Sequence, residues 1–63
     1  MLIRITQDLA DVPTYKRPFV GKVFEVMDTI YGKYMPNENY RHIIEVKGNR
    51  VAVHSSEYEV VRV

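Results

Sequence analysis

The stretch IIEVKGNRVAV, residues 43–53, decides the fold that this sequence predicts. Apolar and polar residues alternate on both sides of Gly48-Asn49, and a glycine that comes first in a two-residue loop suits a type II′ hairpin turn. That turn would fix the facing pairs of the hairpin, which are Lys47 with Arg50, Val46 with Val51, Ile44 with Val53, Ile43 with His54 and His42 with Ser55.

One face of this hairpin is predicted to be a core face, and its members are Tyr40, His42, Ile44, Val46, Val51 and Val53. The opposite face is predicted to point outward and contains Ile43, Glu45, Lys47, Arg50, Ala52 and His54. Apolar pairs therefore oppose apolar pairs, which favours this register.

The rest of the chain is also predicted to be extended, because Val, Ile and Tyr dominate its apolar residues. Alternation predicts strands over residues 1–6, 21–28 and 58–63, and the second has apolar groups on both faces, as a strand that bends between two sheets does. Residues 7–19 and 29–39 hold the turn-forming residues and are predicted loops. Between the fourth and last strands, Ser55-Ser56-Glu57 suits a single helical turn.

Length and composition limit what the protein can be. A chain of 63 residues predicts a single domain over residues 1–63, too small for a deep catalytic cavity. It contains no cysteine, which excludes a disulfide framework and fits a reducing cytoplasm. The formal net charge of +1 demands no polyanionic partner, and the short apolar runs predict neither a membrane span nor a signal peptide.

The order of the predicted elements resembles the SH3-like barrel, in which a strand, a long loop, a strand, a variable loop, a tight hairpin, a helical turn and a last strand follow one another. The best local matches are GKVFEV, residues 21–26, and SSEYEVV, residues 55–61, which are similar to the second-strand opening and to the Ser-x-Tyr-Val ending of that family. The resemblance implies an all-β fold, a single small barrel of about five antiparallel strands with one short helical turn. The sequence is also similar, more faintly, to the KOW modules of ribosome- and polymerase-associated proteins.

The resemblance carries expectations about origin and binding. Small SH3-like proteins are familiar among bacterial and bacteriophage open reading frames, so a phage or prophage origin is expected. Peptide-binding SH3 domains use a tryptophan and an Ala-Leu-Tyr-Asp-Tyr-like first loop, whereas this chain has no Trp and reads VPTYKRP there. The usual polyproline recognition is therefore not implied. Tyr58 lies where the family has a groove tyrosine, but Glu59 replaces a core valine, and the alternative is that Tyr58 and Val60 point inward.

Catalytic and metal-binding chemistry are not predicted. The expected register places His42 and His54 on opposite faces, so they cannot share an ion. Side chains of the neighbours His54 and Ser55 leave opposite faces of a strand, which argues against a nucleophilic triad. We therefore expect a non-enzymatic protein without cofactor or metal.

Five tyrosines in 63 residues are the compositional excess, and tyrosine suits recognition surfaces because it combines an apolar ring with a polar tip. Tyr40 is assigned to the core. The candidate partner-binding residues are Tyr15, Lys16, Arg17, Tyr31, Lys33, Tyr34 and Tyr58. They predict a protein-interaction module in which tyrosines bury in the partner and cations set its orientation.

Two other functions use overlapping residues. The same cations and rings would suit a nucleic-acid or ribonucleoprotein accessory, in which phosphates meet the cations and bases stack on the rings. The predicted outward residues Ile43, Ala52 and Val61, with open strand edges, would suit self-association as a homo-oligomer. Lys16, Arg17 and Lys22 bracket the end of the first loop, with Lys33 expected near them, and a charged loop that only maintains solubility is the remaining explanation of these cations.

Overall fold

The computed structural model of the protein describes residues 1–31 and 40–62. Over these residues the fold is all-β, as predicted, and consists of two antiparallel three-stranded sheets. The strands are β1 (Leu2–Ile5), β2 (Val23–Glu25), β3 (Asp28–Tyr31), β4 (Tyr40–Val46), β5 (Asn49–Val53) and β6 (Tyr58–Val61). Two 3-10 turns, Thr14–Lys16 and Ser55–Glu57, complete the described elements. None of them is a helix long and apolar enough to cross a membrane.

The predicted second strand is two strands that belong to different sheets. β1 lies between β2 and β6 in the first sheet, and β4 lies between β3 and β5 in the second. The chain changes sheets between Val26, whose N–H donates to Met1 O at 2.9 Å, and Met27, whose N–H donates to Ile43 O at 2.8 Å. Side chains that face the core are even-numbered before this bend, as in Phe24, and odd-numbered after it, as in Thr29 opposite the buried His42. The bend explains why residues 21–28 have apolar groups on both faces.

The predicted hairpin register is wrong by two residues. Val46 faces Asn49, so the two-residue loop is Lys47-Gly48 and not Gly48-Asn49. Lys47 has φ 51° and Gly48 has φ 80°, and positive φ at both central positions defines a type I′ turn. Asn49 then stabilises the loop, because its Nδ2 donates to Lys47 O at 3.1 Å.

Cross-strand chemistry accounts for the observed register. It places Glu45 opposite Arg50, an opposite-charge pair, whereas the predicted register placed two cations, Lys47 and Arg50, opposite each other. It also pairs Ile44 with Val51. Because a shift of two residues keeps every side chain on its own face, the predicted core face survives the error.

The core lies between the two sheets. Its buried members come from both sheets and from the first loop, and they are Ile3, Ile5, Leu9, Ile44, Val46, Val51 and Val53. The partly buried Val12, Phe24, Val26 and Tyr58 pack against them. The exposure expected for one outer-face residue is wrong: Ile43 lies on that face between Asp28 and Ala52, yet it is only 6% exposed. Its central position in the sheet explains this burial, because strands flank it on both sides.

The first loop contains a helical turn that the sequence did not predict. Thr14–Lys16 forms it after Pro13, whose carbonyl accepts from the Lys16 N–H at 3.0 Å. At the far end of the loop, the Gly21 N–H donates to Ile5 O at 2.7 Å, with Gly21 at φ 90°, a conformation that favours glycine. The Gly21 contact holds the far end of the loop against β1.

The second helical turn and β6 agree with the prediction more closely. The turn Ser55–Glu57 is closed by a capping box, in which the Glu57 carboxylate accepts from the His54 N–H at 2.7 Å and His54 Nδ1 accepts from the Ser56 N–H. The last strand ends at Val61 in the structure, and residue 63, which the prediction included, lies outside the described residues.

Candidate functional site

The strongest candidate site is a row of aromatic side chains, Tyr31, Tyr40, His42 and Tyr58, which we call the aromatic row. The ring centroids of Tyr31 and Tyr40 are 6.3 Å apart, those of Tyr40 and His42 are 5.2 Å apart, and those of His42 and Tyr58 are 5.4 Å apart. Successive ring planes are tilted by about 50°, a geometry that favours contact between the edge of one ring and the face of the next.

Strand pairing brings the row together. Tyr31 at the end of β3 is directly opposite Tyr40 at the start of β4, which places both rings on the face that also bears His42. Tyr58 comes from the other sheet, where it is opposite the buried Ile5 and points inward. The row therefore bridges the two sheets where β4 begins.

Exposure changes steeply along the row. Tyr31 is 67% exposed, whereas His42 is only 7% exposed, with Tyr40 and Tyr58 between these extremes. The row therefore begins at the core and ends in solvent. Rings held by neighbouring rings lose little further conformational freedom on binding, so they can accept an apolar group at low entropic cost.

Hydrogen bonds hold the inner end of the row. His42 Nδ1 and Thr29 Oγ1 are 2.9 Å apart, which gives the buried imidazole a polar partner on β3. Burial raises the pKa of Tyr58 to about 12, and its hydrogen bond to the Tyr40 side chain and the charge of that group add to the increase. Burial, the hydrogen bond and the charge interaction all favour the neutral form of the Tyr58 hydroxyl.

The predicted site residues of the first loop lie apart from the row. Tyr15 is 63% exposed in the first helical turn, and Lys16 Nζ lies 5.9 Å from the centre of its ring. Arg17 binds its own loop, because Nε donates to Val12 O at 2.9 Å and an NH2 group donates to Ala10 O at 3.0 Å. Within the described part of the chain, no ring contact joins Tyr15 to the aromatic row.

The remaining predictions have different outcomes. Tyr31 and Tyr58 lie in one row, although Tyr31 belongs to a strand and not to the predicted loop over residues 29–39. Lys33 and Tyr34 lie outside the described residues. Of the two orientations considered for Tyr58, the structure has the inward one: Glu59 points outward, where its carboxylate binds the Arg4 guanidinium at 2.7 Å.

His54 and Ser56 approach each other, but their arrangement is structural. His54 Nδ1 lies 2.9 Å from Ser56 Oγ, a contact that the predicted strand geometry of His54 and Ser55 did not anticipate. Glu57 accepts from the His54 backbone N–H and not from the imidazole, and no other carboxylate of residues 1–31 and 40–62 bonds the ring. Residues 1–31 and 40–62 contain no group of three or more His, Cys, Asp or Glu side chains arranged to hold a metal ion.

Two features were not predicted as parts of a site. Tyr40 and His42 were predicted on one strand face but only as core residues, and their i, i+2 spacing is the signal that could have shown the row. Phe19 and Val20, 67% and 58% exposed, were not singled out, although they lie between a proline and a glycine. No protein-family model, no curated protein and no solved structure matches this chain.

Proposed function

We propose that this chain is a small SH3-like barrel that binds a partner protein at the aromatic row and performs no catalysis. The element order supports the fold: β2 of the first sheet is followed after two residues by β3 of the second, and a single helical turn connects β5 to β6. A role in a phage or prophage is part of the same proposal and follows from the resemblance alone.

One observation carries the binding proposal, namely the exposure of Tyr31 at the outer end of an ordered row of rings. A tyrosine with 67% of its surface in water contributes little to folding. Its ring nevertheless contacts Tyr40, so it is already held in place for a partner. Tyrosines of this kind, next to better-buried neighbours, are enriched among the residues that dominate binding energy.

The row suits an extended protein segment that places an apolar side chain against the rings of Tyr31 and Tyr40. The tyrosine hydroxyls and the peptide groups of the segment would supply the hydrogen bonds that fix its register. Lys16 and Arg17 assist only if the partner extends over the first loop, because the first loop does not share ring contacts with the row.

The test is affinity capture from an extract of the source cell, comparing the wild-type chain with Tyr31→Ala. We expect the wild-type chain to retain a specific protein and Tyr31→Ala to bind it at least about 30-fold more weakly, which corresponds to about 2 kcal/mol for a residue of this type. Tyr31→Phe preserves the ring and should retain most of the binding.

Met27→Ala is the matched control, because Met27 is 50% exposed and lies outside the aromatic row. Equal loss with Met27→Ala, or no loss with Tyr31→Ala, would contradict the proposal. Treatment of the extract with nuclease decides between partner classes. A partner that disappears with the nucleic acid would favour a nucleic-acid accessory, and its binding should then also weaken steeply with salt.

A further inference from the structure

A second surface, which the aromatic row does not include, lies where the first loop meets the β4–β5 turn. It is a hollow of about 290 Å³ with an apolar wall and a charged rim. We call it the Phe19 hollow, and it is lined by Asp8, Thr14, Arg17, Pro18, Phe19, Val20 and Lys47.

The apolar wall is exposed yet fixed. Phe19 and Val20 are adjacent in sequence and 67% and 58% exposed, whereas Pro18 beside them is buried. Their turn is closed by the Lys22 N–H, which donates to Phe19 O at 3.2 Å, and the next residue, Gly21, is anchored to β1. Two large apolar side chains held outward by a closed turn do not stabilise the core, and they form the kind of surface that a partner covers.

The rim is predominantly cationic. Lys47 Nζ lies 5.2 Å from the centre of the Phe19 ring, and the Arg17 guanidinium is fixed by two backbone carbonyls that leave its charge in place. A guanidinium has five N–H donors, so three remain after those bonds. Asp8 is the one acid among the lining residues, which gives the hollow a net positive charge.

The conformation of Lys47 is an independent indication of a role for its side chain. Lys47 has φ 51°, a region that non-glycine residues avoid and that asparagine or glycine adopts more easily. A lysine there weakens the turn, yet this position directs its ammonium over Phe19. Residues in such sparsely populated backbone conformations cluster at functional sites, which favours a binding role for the Lys47 side chain.

We propose that the Phe19 hollow binds an acidic, apolar segment of a protein partner, with a carboxylate between Lys47 and Arg17 and an adjacent aliphatic side chain against Phe19 and Val20. Charge complementarity selects this occupant, because the two cations outnumber the one acid among the described residues that line the hollow, and Thr14 is the one uncharged polar side chain among them. The site lies beyond the aromatic row and does not depend on the function proposed for it.

The probe is a capped pentapeptide with one glutamate beside one leucine and glycine elsewhere, titrated into isotope-labelled protein. We expect saturable amide shifts confined to residues 17, 19, 20, 47 and 48, with a dissociation constant in the millimolar range. The glutamine analogue of the peptide should bind at least about fivefold more weakly, because it loses a charge-assisted hydrogen bond.

Two matched variants distinguish binding at the Phe19 hollow from a general effect of the protein's net charge. Lys47→Asn keeps a residue suited to the turn and removes the ammonium, so it should weaken peptide binding at least about fivefold. Arg62→Asn makes the same charge change at an exposed position that does not line the hollow, and should leave binding unchanged. Equal binding of the two peptides, equal effects of the two variants, shifts at the aromatic row instead, or the absence of saturable shifts would each overturn the proposal.

Discussion

Lys47 shows how one residue can be fixed by tertiary context against its local preference. The sequence Lys47-Gly48-Asn49 allows two glycine-containing loops, and local turn preference favoured Gly48-Asn49. The structure uses Lys47-Gly48, because the facing pairs on the two strands outweigh the cost of a lysine at positive φ. Turn residues alone therefore could not decide the register.

The conformation of Lys47 predicts a difference between two substitutions. Lys47→Asn and Lys47→Ala both remove the ammonium from the Phe19 ring, but only asparagine tolerates positive φ well. We expect Lys47→Asn to be more stable than Lys47→Ala by about 1 kcal/mol, measured by urea unfolding. If Lys47 were an ordinary strand residue, as the predicted register requires, alanine would be at least as stable as asparagine.

Tyr58 predicts a dependence of stability on alkaline pH. Its pKa rises from 10.0 to about 12 on folding, mainly through burial, so the folded state holds the phenolic proton more tightly. The contribution of Tyr58 is fully present below pH 10 and is lost as pH rises from about 10 to about 12. We expect Tyr58→Phe to lose less unfolding free energy than the wild-type chain across this window.

The control for that measurement is Tyr31→Phe, which removes the hydroxyl of an exposed tyrosine. Its stability should fall across the window as much as that of the wild-type chain. If Tyr58→Phe also behaves like the wild-type chain, Tyr58 is not buried as the structure places it.

Among the elements, the hairpin and the bent strand decide where the site lies. The hydrophobic pattern correctly predicted on which face of β4 and β5 each assigned side chain lies, because the face depends on alternation alone. It did not predict that β3 extends to Tyr31 and pairs with Tyr40, since Thr29, Ile30 and Tyr31 precede a glycine and read as a loop. The pairing of Tyr31 with Tyr40 was hidden by that assignment.

A charge reversal tests the register of β4 and β5. Arg50→Glu places a second carboxylate opposite Glu45, and we expect it to lower the unfolding free energy by about 0.5 kcal/mol. The double variant Glu45→Arg/Arg50→Glu restores an opposite-charge pair and should recover that loss. In the predicted register Arg50 faces Lys47, so Arg50→Glu would instead stabilise the protein.

At the scale of the whole molecule, the two sheets create a site that neither contains alone. Tyr31, Tyr40 and His42 come from one sheet and Tyr58 from the other, so the row exists only when the sheets pack. A single sequence indicates which residues alternate within a strand, but not which strands pack against each other. Tyr31 and Tyr58 could therefore be predicted as candidate binding residues, but not as members of one row.

The two proposed surfaces, the aromatic row and the Phe19 hollow, lie at opposite ends of β4. The aromatic row lies at the start of this seven-residue strand, and Lys47 follows its end, about 20 Å away at the usual rise per residue. An extended partner of six or more residues would be needed to reach both surfaces at about 3.3 Å per residue. Binding at one surface can therefore be measured while the other is mutated.

The most direct test of the binding proposal is a map of amide chemical shifts in the labelled protein when the captured partner is added. We predict that the largest changes fall on residues 29–31, 40–42 and 58, around the aromatic row, and that Tyr31→Ala abolishes them. Changes confined to residues 50–52 of β5, with Tyr31→Ala binding as tightly as the wild-type chain, would contradict it.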